Sequence, residues 1–363
     1  MSVTVSSSPH VHMANDSTKQ IMRDVAIALT PAALWGVYQF GFRALVVLLV
    51  SIVSSVLTEY LLDRKDGKKS LKENSIGDGS ALVTGLLLGM NMSSQVPFVI
   101  AILANIFAIV VVKWIFGGLG SNWMNPALGG RVFVFFSFTA AMSRYVAPRS
   151  LASLMPDTIG GATPLAFVKT SIAGGVSGLS ASGVMDAAGY PVTHFAQSVS
   201  TALHISPYAV DAFFGNIGGC IGEGSAFLLL LGAIYLLHKK IISWHTPVAY
   251  LGSFAILTWV FAGLRGGLGL FQGEILTQLF DGGLFLGALF MATDMVTSPI
   301  THKGQILFGI GCGFFTFLFR YFGSLAESVS LSIIMMNMVV PTIDRYIVPV
   351  KFGTVKKAKK ERA

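Results

Sequence analysis

Long apolar runs, interrupted by short polar or glycine-rich breaks, fill most of this chain. A helix that crosses a bilayer needs roughly 20 apolar residues, fewer where it is broken or re-entrant. By that measure ten candidate spans stand near 22–40, 41–61, 78–92, 96–115, 127–143, 210–237, 246–264, 281–297, 304–322 and 328–343. The third and eighth are short and interrupted by glycine.

Charge gives these spans an orientation. With the N-terminus inside, the even-numbered spans end inside. Basic residues follow four of them: Arg64, Lys65, Lys68, Lys69 and Lys72 after the second, His238, Lys239 and Lys240 after the sixth, His302 and Lys303 after the eighth, and a lysine-rich tail from Lys351 after the tenth. All strong basic clusters thus fall on one face, as the positive-inside rule requires. Both termini are expected inside, and the long segment between Arg144 and Pro207 outside. The polar first 20 residues have no apolar core of a signal peptide and read as an inner tail.

Composition agrees with a membrane origin. The 363 residues are 53% hydrophobic and 12% charged, against about 25% charged in ordinary soluble domains. The net charge of +8 does not point to nucleic acid, because the bases sit in clusters between apolar runs. Cys220 and Cys312 are too far apart in sequence to suggest a metal site or a disulfide framework and read as buried packing residues.

The third and eighth spans also resemble each other. Asp78-Gly79-Ser80 and Asp281-Gly282-Gly283 stand 203 residues apart (281 − 78), and the apolar stretches after them align without a gap. The same offset carries Gly120-Ser121 onto Gly323-Ser324. Five spans per half is an odd number, so the halves must run in opposite senses across the membrane. The expected fold is an all-α polytopic membrane protein of about ten transmembrane helices in two inverted five-helix repeats, with broken or re-entrant helices. Its divisions are a tail over 1–20, a first repeat over 21–143, an outer loop over 144–208, a second repeat over 209–345 and a basic tail over 346–363. In such folds the interrupted helices mark the binding site, because their open backbone is tolerated only where protein or a water-filled cavity covers it.

Ionisable groups at membrane depth are candidates for function. Asp78, Glu223, Asp281, Asp294 and Glu327 are the acids in question. Asp78 and Asp281 begin spans and read equally as helix caps; Asp294 and Glu223 have fewer structural explanations. Asn91 and Asn337 read as interhelical glue. Asn122 and Asn125, in Ser121-Asn122-Trp123-Met124-Asn125-Pro126-Ala127, offer either two amides to a planar polar ring or an Asx-turn before a helix that starts at proline. In Asp157-Thr158-Ile159-Gly160-Gly161-Ala162-Thr163-Pro164, the local reading of Thr163 is an N-cap.

With these motifs the chain resembles the NqrB/RnfD family, the membrane subunits of the sodium-pumping NADH:quinone reductase and of the Rnf ferredoxin:NAD⁺ oxidoreductase. The resemblance rests on Ile21-Met22-Arg23-Asp24-Val25, Asp78-Gly79-Ser80 with Thr84-Gly85, Asn122 and Asn125-Pro126-Ala127, Gly222-Glu223-Gly224-Ser225, Trp244 with Pro247, and Asn337 to Asp344. It implies an outer-face motif for a flavin transferase of the ApbE type. Asp157, Gly161, Ala162 and Thr163 match that motif, and Gly160 stands where serine or threonine is usual. The resemblance implies FMN esterified to the Thr163 hydroxyl, and a second, non-covalent riboflavin for which Asn122 and Asn125 are the candidates. Further implications are a bacterial inner-membrane location, partner subunits and electron transfer coupled to Na⁺ or H⁺, with Asp294, Glu223, Asp78 and Asp281 as ion-path candidates. The chain has neither a nucleotide-binding glycine loop nor an iron–sulfur cysteine pattern, so it is expected to be inactive alone. An inverted-repeat transporter or channel, and a membrane scaffold that only docks redox partners, are the competing readings.

Overall fold

The computed structural model describes residues 17–65, 75–149, 163–176, 178–323 and 328–348. Within them every regular element is helical. α1 (Thr18–Phe40) starts at Ser17, whose hydroxyl accepts from Gln20 N while the Gln20 side chain accepts from Ser17 N. α2 (Phe42–Lys65) follows after Gly41. α3 (Ser80–Met90) is short, and α4 (Phe98–Phe107) runs directly into a π-helical stretch, Ala108–Trp114. α5 (Pro126–Ser137) and α6 (Thr139–Met142) close the first half. Four short helices come next: α7 (Pro164–Ala173), α8 (Ala181–Ala187), α9 (His194–Leu203) and α10 (Pro207–Phe214). The second half contains α11 (Ala226–His238), α12 (His245–Arg265), α13 (Ile275–Phe280), α14 (Leu284–Leu286) with its π-helical continuation Gly287–Met291, α15 (His302–Tyr321) and α16 (Val329–Tyr346).

Two helices, Phe42–Arg64 and His245–Leu264, are long and apolar enough to cross a membrane on length and composition alone. The others are shorter or more polar, and three expected spans differ from their sequence reading. The sixth, 210–237, is two pieces: α10 ends at Phe214, and α11 begins only at Ala226. Between them the chain folds back on itself at Gly215, φ +93°, where an added Cβ would stand 1.7 Å from Gly224 O. The eighth stops being helical at Met291, short of 297, and the fifth breaks at Phe138. The segment expected as a loop over 144–208 holds α7, α8, α9 and the start of α10 among its described residues. The 203-residue offset carries the first residue of α2 onto that of α12 and the first of α5 onto that of α16.

Around an apolar interior, much of the surface is apolar too, and several charged side chains are buried. Leu49, Val53, Leu57 and Leu61 of α2 are more than half exposed, as are Val248 and Ile256 of α12. Glu59, Lys113, Arg131, Asn105 and Arg320 are buried. Apolar surface on this scale would drive aggregation in water and is suited to lipid. Helices meet through small residues instead. An added Cβ on Gly85 of α3 would lie 2.8 Å from Ile52 Cα of α2, and one on Gly309 of α15 2.7 Å from Thr246 O of α12. Such close backbone approach is how helices associate where lipid removes the hydrophobic driving force. Hydroxyls then reach across: Ser51 Oγ donates to Gly85 O at 2.8 Å, and Ser55 Oγ to Ala81 O at 2.8 Å.

Candidate functional site

The two short helices lie at the centre of the molecule. Every residue of α3 except Leu82 is buried, as is the whole of Leu284–Ala292. Both begin in left-handed turns that only glycine enters readily: Gly79, φ +79°, caps α3, and Gly282 and Gly283, φ +74° and +66°, precede α14. Their far ends meet. Asn91, which closes α3, donates to Leu87 O at 2.7 Å and lies 3.6 Å from Met291 Sδ, while Asn125 Nδ2 donates to Met291 O at 3.4 Å. Helix C-termini carry partial negative charge, and a cation stands beside this junction. Arg131 of α5 donates through Nη1 to Asn91 Oδ1 at 2.7 Å and Ser330 Oγ at 3.1 Å. Its Nη2 lies 3.7 Å from both Cys220 Sγ and Glu223 Oε1.

Glu223 sits in a 3₁₀ turn, Ile221–Glu223, and its Oε2 accepts from Cys220 N at 3.2 Å. The carboxylate lies against Gly283, where an added Cβ would be 2.5 Å from Oε1. It therefore faces the N-terminal turn of α14, which favours negative charge. Cys220 and Cys312 are buried free thiols, as expected, although Cys220 has a polar neighbour in Arg131.

A cavity of about 380 Å³ opens at the α3 N-terminal end, lined among others by Ser80, Thr84, Lys113, Asn122, Asn125 and Asp294. This size lies within the range of small-molecule sites, roughly 300–1,000 Å³. Asn125 Oδ1 caps α5 by accepting from Ala127 N at 3.0 Å, so this residue makes the expected Asx-turn as well as lining the cavity. Asn122 Nδ2 donates to Met124 O at 3.0 Å, and its Oδ1 is buried with no hydrogen-bond donor among the described residues. A buried acceptor of this kind suits an N–H on a ligand. Asp294 accepts from Thr297 Oγ1 at 3.1 Å and from Val296 N at 3.4 Å, shaping the turn after the second short helix. Lys113 Nζ donates to Ser80 Oγ and to Glu59 Oε1, both at 2.6 Å. Asp78 Oδ1 in turn accepts from Ser80 N and Oγ, at 2.7 and 2.5 Å, as a local cap. A second cavity of about 600 Å³ shares Ile241, Ile242, Thr293 and Met295 with the first. Trp244, His245 and His302 stack along it, with ring centroids 4.2 and 4.3 Å apart.

Thr163 lies elsewhere, beside the start of α14. It is 4% exposed, and its hydroxyl accepts from Ala166 N at 3.2 Å to cap α7 ahead of Pro164. Two residues on, Leu165 Cδ2 packs 2.9 Å from where a Gly282 Cβ would be. Arg320 holds the same turn, donating to Asp281 O at 3.1 Å and Gln278 O at 2.5 Å, with its guanidinium 4.9 Å from the centroid of the Phe254 ring. Asp281 is buried near Tyr190 and Tyr208. Burial pushes both phenols well above the ordinary tyrosine range, with the Asp186 hydrogen bond adding to the shift of Tyr208, so both stay protonated.

The structure thus brings Asn122, Asn125 and Asp294 to one cavity, with Asp78 reached through Ser80. Glu223 is separate and paired with Arg131, and Asp281 is at the Thr163 end. The four ion-path candidates do not form one cluster. Asp157, Gly161, Ala162 and Glu327 lie outside the described residues. Sequence reasoning missed Glu59, Lys113, Arg131 and Arg320. For Lys113, Arg131 and Arg320 the signal was available, because each is an isolated charge within or at the end of an apolar helix, but basic residues beside apolar runs read first as markers of sidedness; Glu59 stands near the charged end of α2, four residues before Asp63.

Residues 4–353 match the model of the NQR2, RnfD, RnfE family. The chain belongs to this family. Among its relatives is a subunit of the proton-translocating ferredoxin:NAD⁺ oxidoreductase complex of Clostridium ljungdahlii, 40% identical over 97% of this chain and 96% of the relative. The corresponding subunit of the Na⁺-translocating complex of Acetobacterium woodii is 38% identical over 100% of this chain and 99% of the relative. A subunit of an ion-translocating oxidoreductase complex of Halorhodospira halophila is 33% identical over 95% and 94%.

Proposed function

We propose that this chain is a flavin-carrying membrane subunit of an Rnf-type complex, which passes electrons between ferredoxin and NAD⁺ and couples their flow to Na⁺ or H⁺ movement. The observation that carries this reading is near-full-length similarity to two relatives whose names state that activity. Those names differ in the ion, so either remains a candidate here. Other subunits must supply the contacts to soluble donors and acceptors.

Thr163 is the proposed attachment point of FMN, brought by an ApbE-type transferase. Its hydroxyl caps a ten-residue helix, and the N-terminus of a helix is a favourable place for a phosphate. The hydroxyl is closed off in this packing, so attachment requires that it leave the cap. Asn122, with its unmet buried acceptor, and Asn125 are the proposed holders of a non-covalent riboflavin in the 380 Å³ cavity. A bound flavin would supply one- and two-electron redox chemistry that no side chain here provides. The chain's own residues orient it, exclude water and keep charged groups at fixed positions.

The two halves are proposed to be inverted repeats. In support, the cavity is lined by the start of α3 and by the residues that follow the π-helical end of the second short helix. Thr163 then belongs to the outer face and the Asn122 cavity to the inner. A transporter draws equal support from the broken helices but leaves the family relationship unused. Membrane vesicles carrying the whole complex test the two. Oxidation of reduced ferredoxin by NAD⁺ should build a Na⁺ or H⁺ gradient; solute uptake by the isolated chain, with no effect of its deletion on ferredoxin oxidation, would favour the transporter.

A further inference from the structure

The electron-carrying role leaves the buried Arg131 guanidinium without a task. Its side chain is 7% exposed and that of Glu223 4%, and a charge at bilayer depth is retained for pairing or function. Pairing alone would need only Glu223. Arg131 is instead anchored from both halves of the molecule, by Asn91 at the end of α3 and by Ser330 of α16. The shortest hydrogen bond, 2.7 Å, is to Asn91, whereas the ion-pair separation to Glu223 is 3.7 Å. The guanidinium therefore stands between a neutral anchor and a carboxylate. Glu223 in turn lies against Gly283, in the turn on which Leu165 and Arg320 pack at the Thr163 end. On the other side, Asn91 and Asn125 both meet Met291, and Asn125 lines the 380 Å³ cavity.

We propose that Arg131 is a positioning residue that closes the cation path at Glu223. Its guanidinium occupies the place of a transported monovalent cation, Na⁺ or H⁺. That cation reaches the carboxylate only when Nη2 swings away from Glu223 while Nη1 keeps its bonds to Asn91 and Ser330. Two positive charges this close in a medium of intermediate dielectric repel strongly, so the resting pair blocks leakage. The inference rests on the reading of this protein as part of an ion-translocating complex.

The test uses the whole complex reconstituted in liposomes, with ²²Na⁺ and a pH dye as separate arms. Two quantities are read: passive cation leak without ferredoxin, and ions moved per electron. Arg131→Gln should raise the leak by about tenfold or more, because a unit charge under 4 Å away is lost. Glu223→Gln should stay tight but lose ions per electron, and the double variant should be as tight as Glu223→Gln. Arg131→Lys should remain tight. A parental leak in Arg131→Gln, or a double variant that leaks as much as the single one, would overturn the proposal. Should Arg131→Gln fail to assemble, Glu223→Gln decides: parental ions per electron also overturns it. A parental complex that moves electrons but no ions would instead defeat the underlying reading.

Discussion

Lys113 Nζ lies 2.6 Å from Glu59 Oε1, with the two side chains 4% and 6% exposed, and the same ammonium donates to Ser80 Oγ at the first residue of α3. The fourth helix of the first half thereby holds the second helix and the start of the short helix together. Arg320 does a comparable job in the second half, from α15 to the turn before α14. Each short helix is pinned at its N-terminal turn by a buried cation, while their far ends meet beside Arg131.

Breaking the first of these pins from one side should be costly. Lys113→Met strands the Glu59 carboxylate in a nonaqueous site, and loss of one partner of a buried pair costs about 3–5 kcal/mol. Adding Glu59→Leu should recover much of that loss. Thermal unfolding of the purified variants in detergent checks it; a single variant as stable as the parent would contradict the assignment.

Asn122→Leu should lower the flavin released when the protein is denatured without cleaving covalent bonds. Removal of the buried Oδ1 acceptor takes away one hydrogen bond to the ligand, worth about 0.5–1.5 kcal/mol, or up to about tenfold in affinity. Flavin fluorescence that stays with the denatured band should persist. Parental amounts of released flavin across a titration would remove Asn122 from the site.

The two short helices were legible because their Asp-Gly entries and glycine-rich apolar stretches recur without a gap. The break at 215–225 was harder to see. Gly215, Gly219, Gly222 and Gly224 leave hydropathy high, while the backbone reversal depends on contacts with α1 and α3, such as Met90 Cβ at 2.5 Å from a Gly222 Cβ. Depth was the second obstacle. Glu59 and Lys113 are 54 residues apart, and nothing local says that two lone charges will meet. The Asn122 and Asp294 cavity joins segments from both halves, so its members could be nominated separately but not assembled.

Asp294→Asn should slow ion-coupled electron transfer while leaving Thr163 modified, because Asp294 lines the proposed inner cavity, to which α7 contributes no lining residue. Turnover and gradient formation in vesicles, compared with in-gel flavin fluorescence, separate the two effects. Unchanged coupled turnover would remove Asp294 from the ion path.

Helix association through small residues gives a matched pair. Gly309→Val places new atoms onto Thr246 O and Ala249 Cβ, 2.7 and 2.8 Å from the first added carbon, and should prevent stable accumulation in the membrane. Gly252→Ala on α12 meets nothing within 4 Å and should be neutral or stabilising by up to about 1 kcal/mol. Equal expression of both would contradict the close α12–α15 packing.

The flavin assignment at Thr163 is tested most directly by denaturing gel electrophoresis of the protein co-expressed with an ApbE-type transferase. Three variants separate chemistry from helix capping. Thr163→Ser keeps the hydroxyl and the cap, Thr163→Asn keeps a capping oxygen without an esterifiable hydroxyl, and Thr163→Val has neither. Flavin fluorescence should stay with the parental and serine bands and be absent from the asparagine and valine bands. A dark parental band, or a fluorescent asparagine band, would contradict the account.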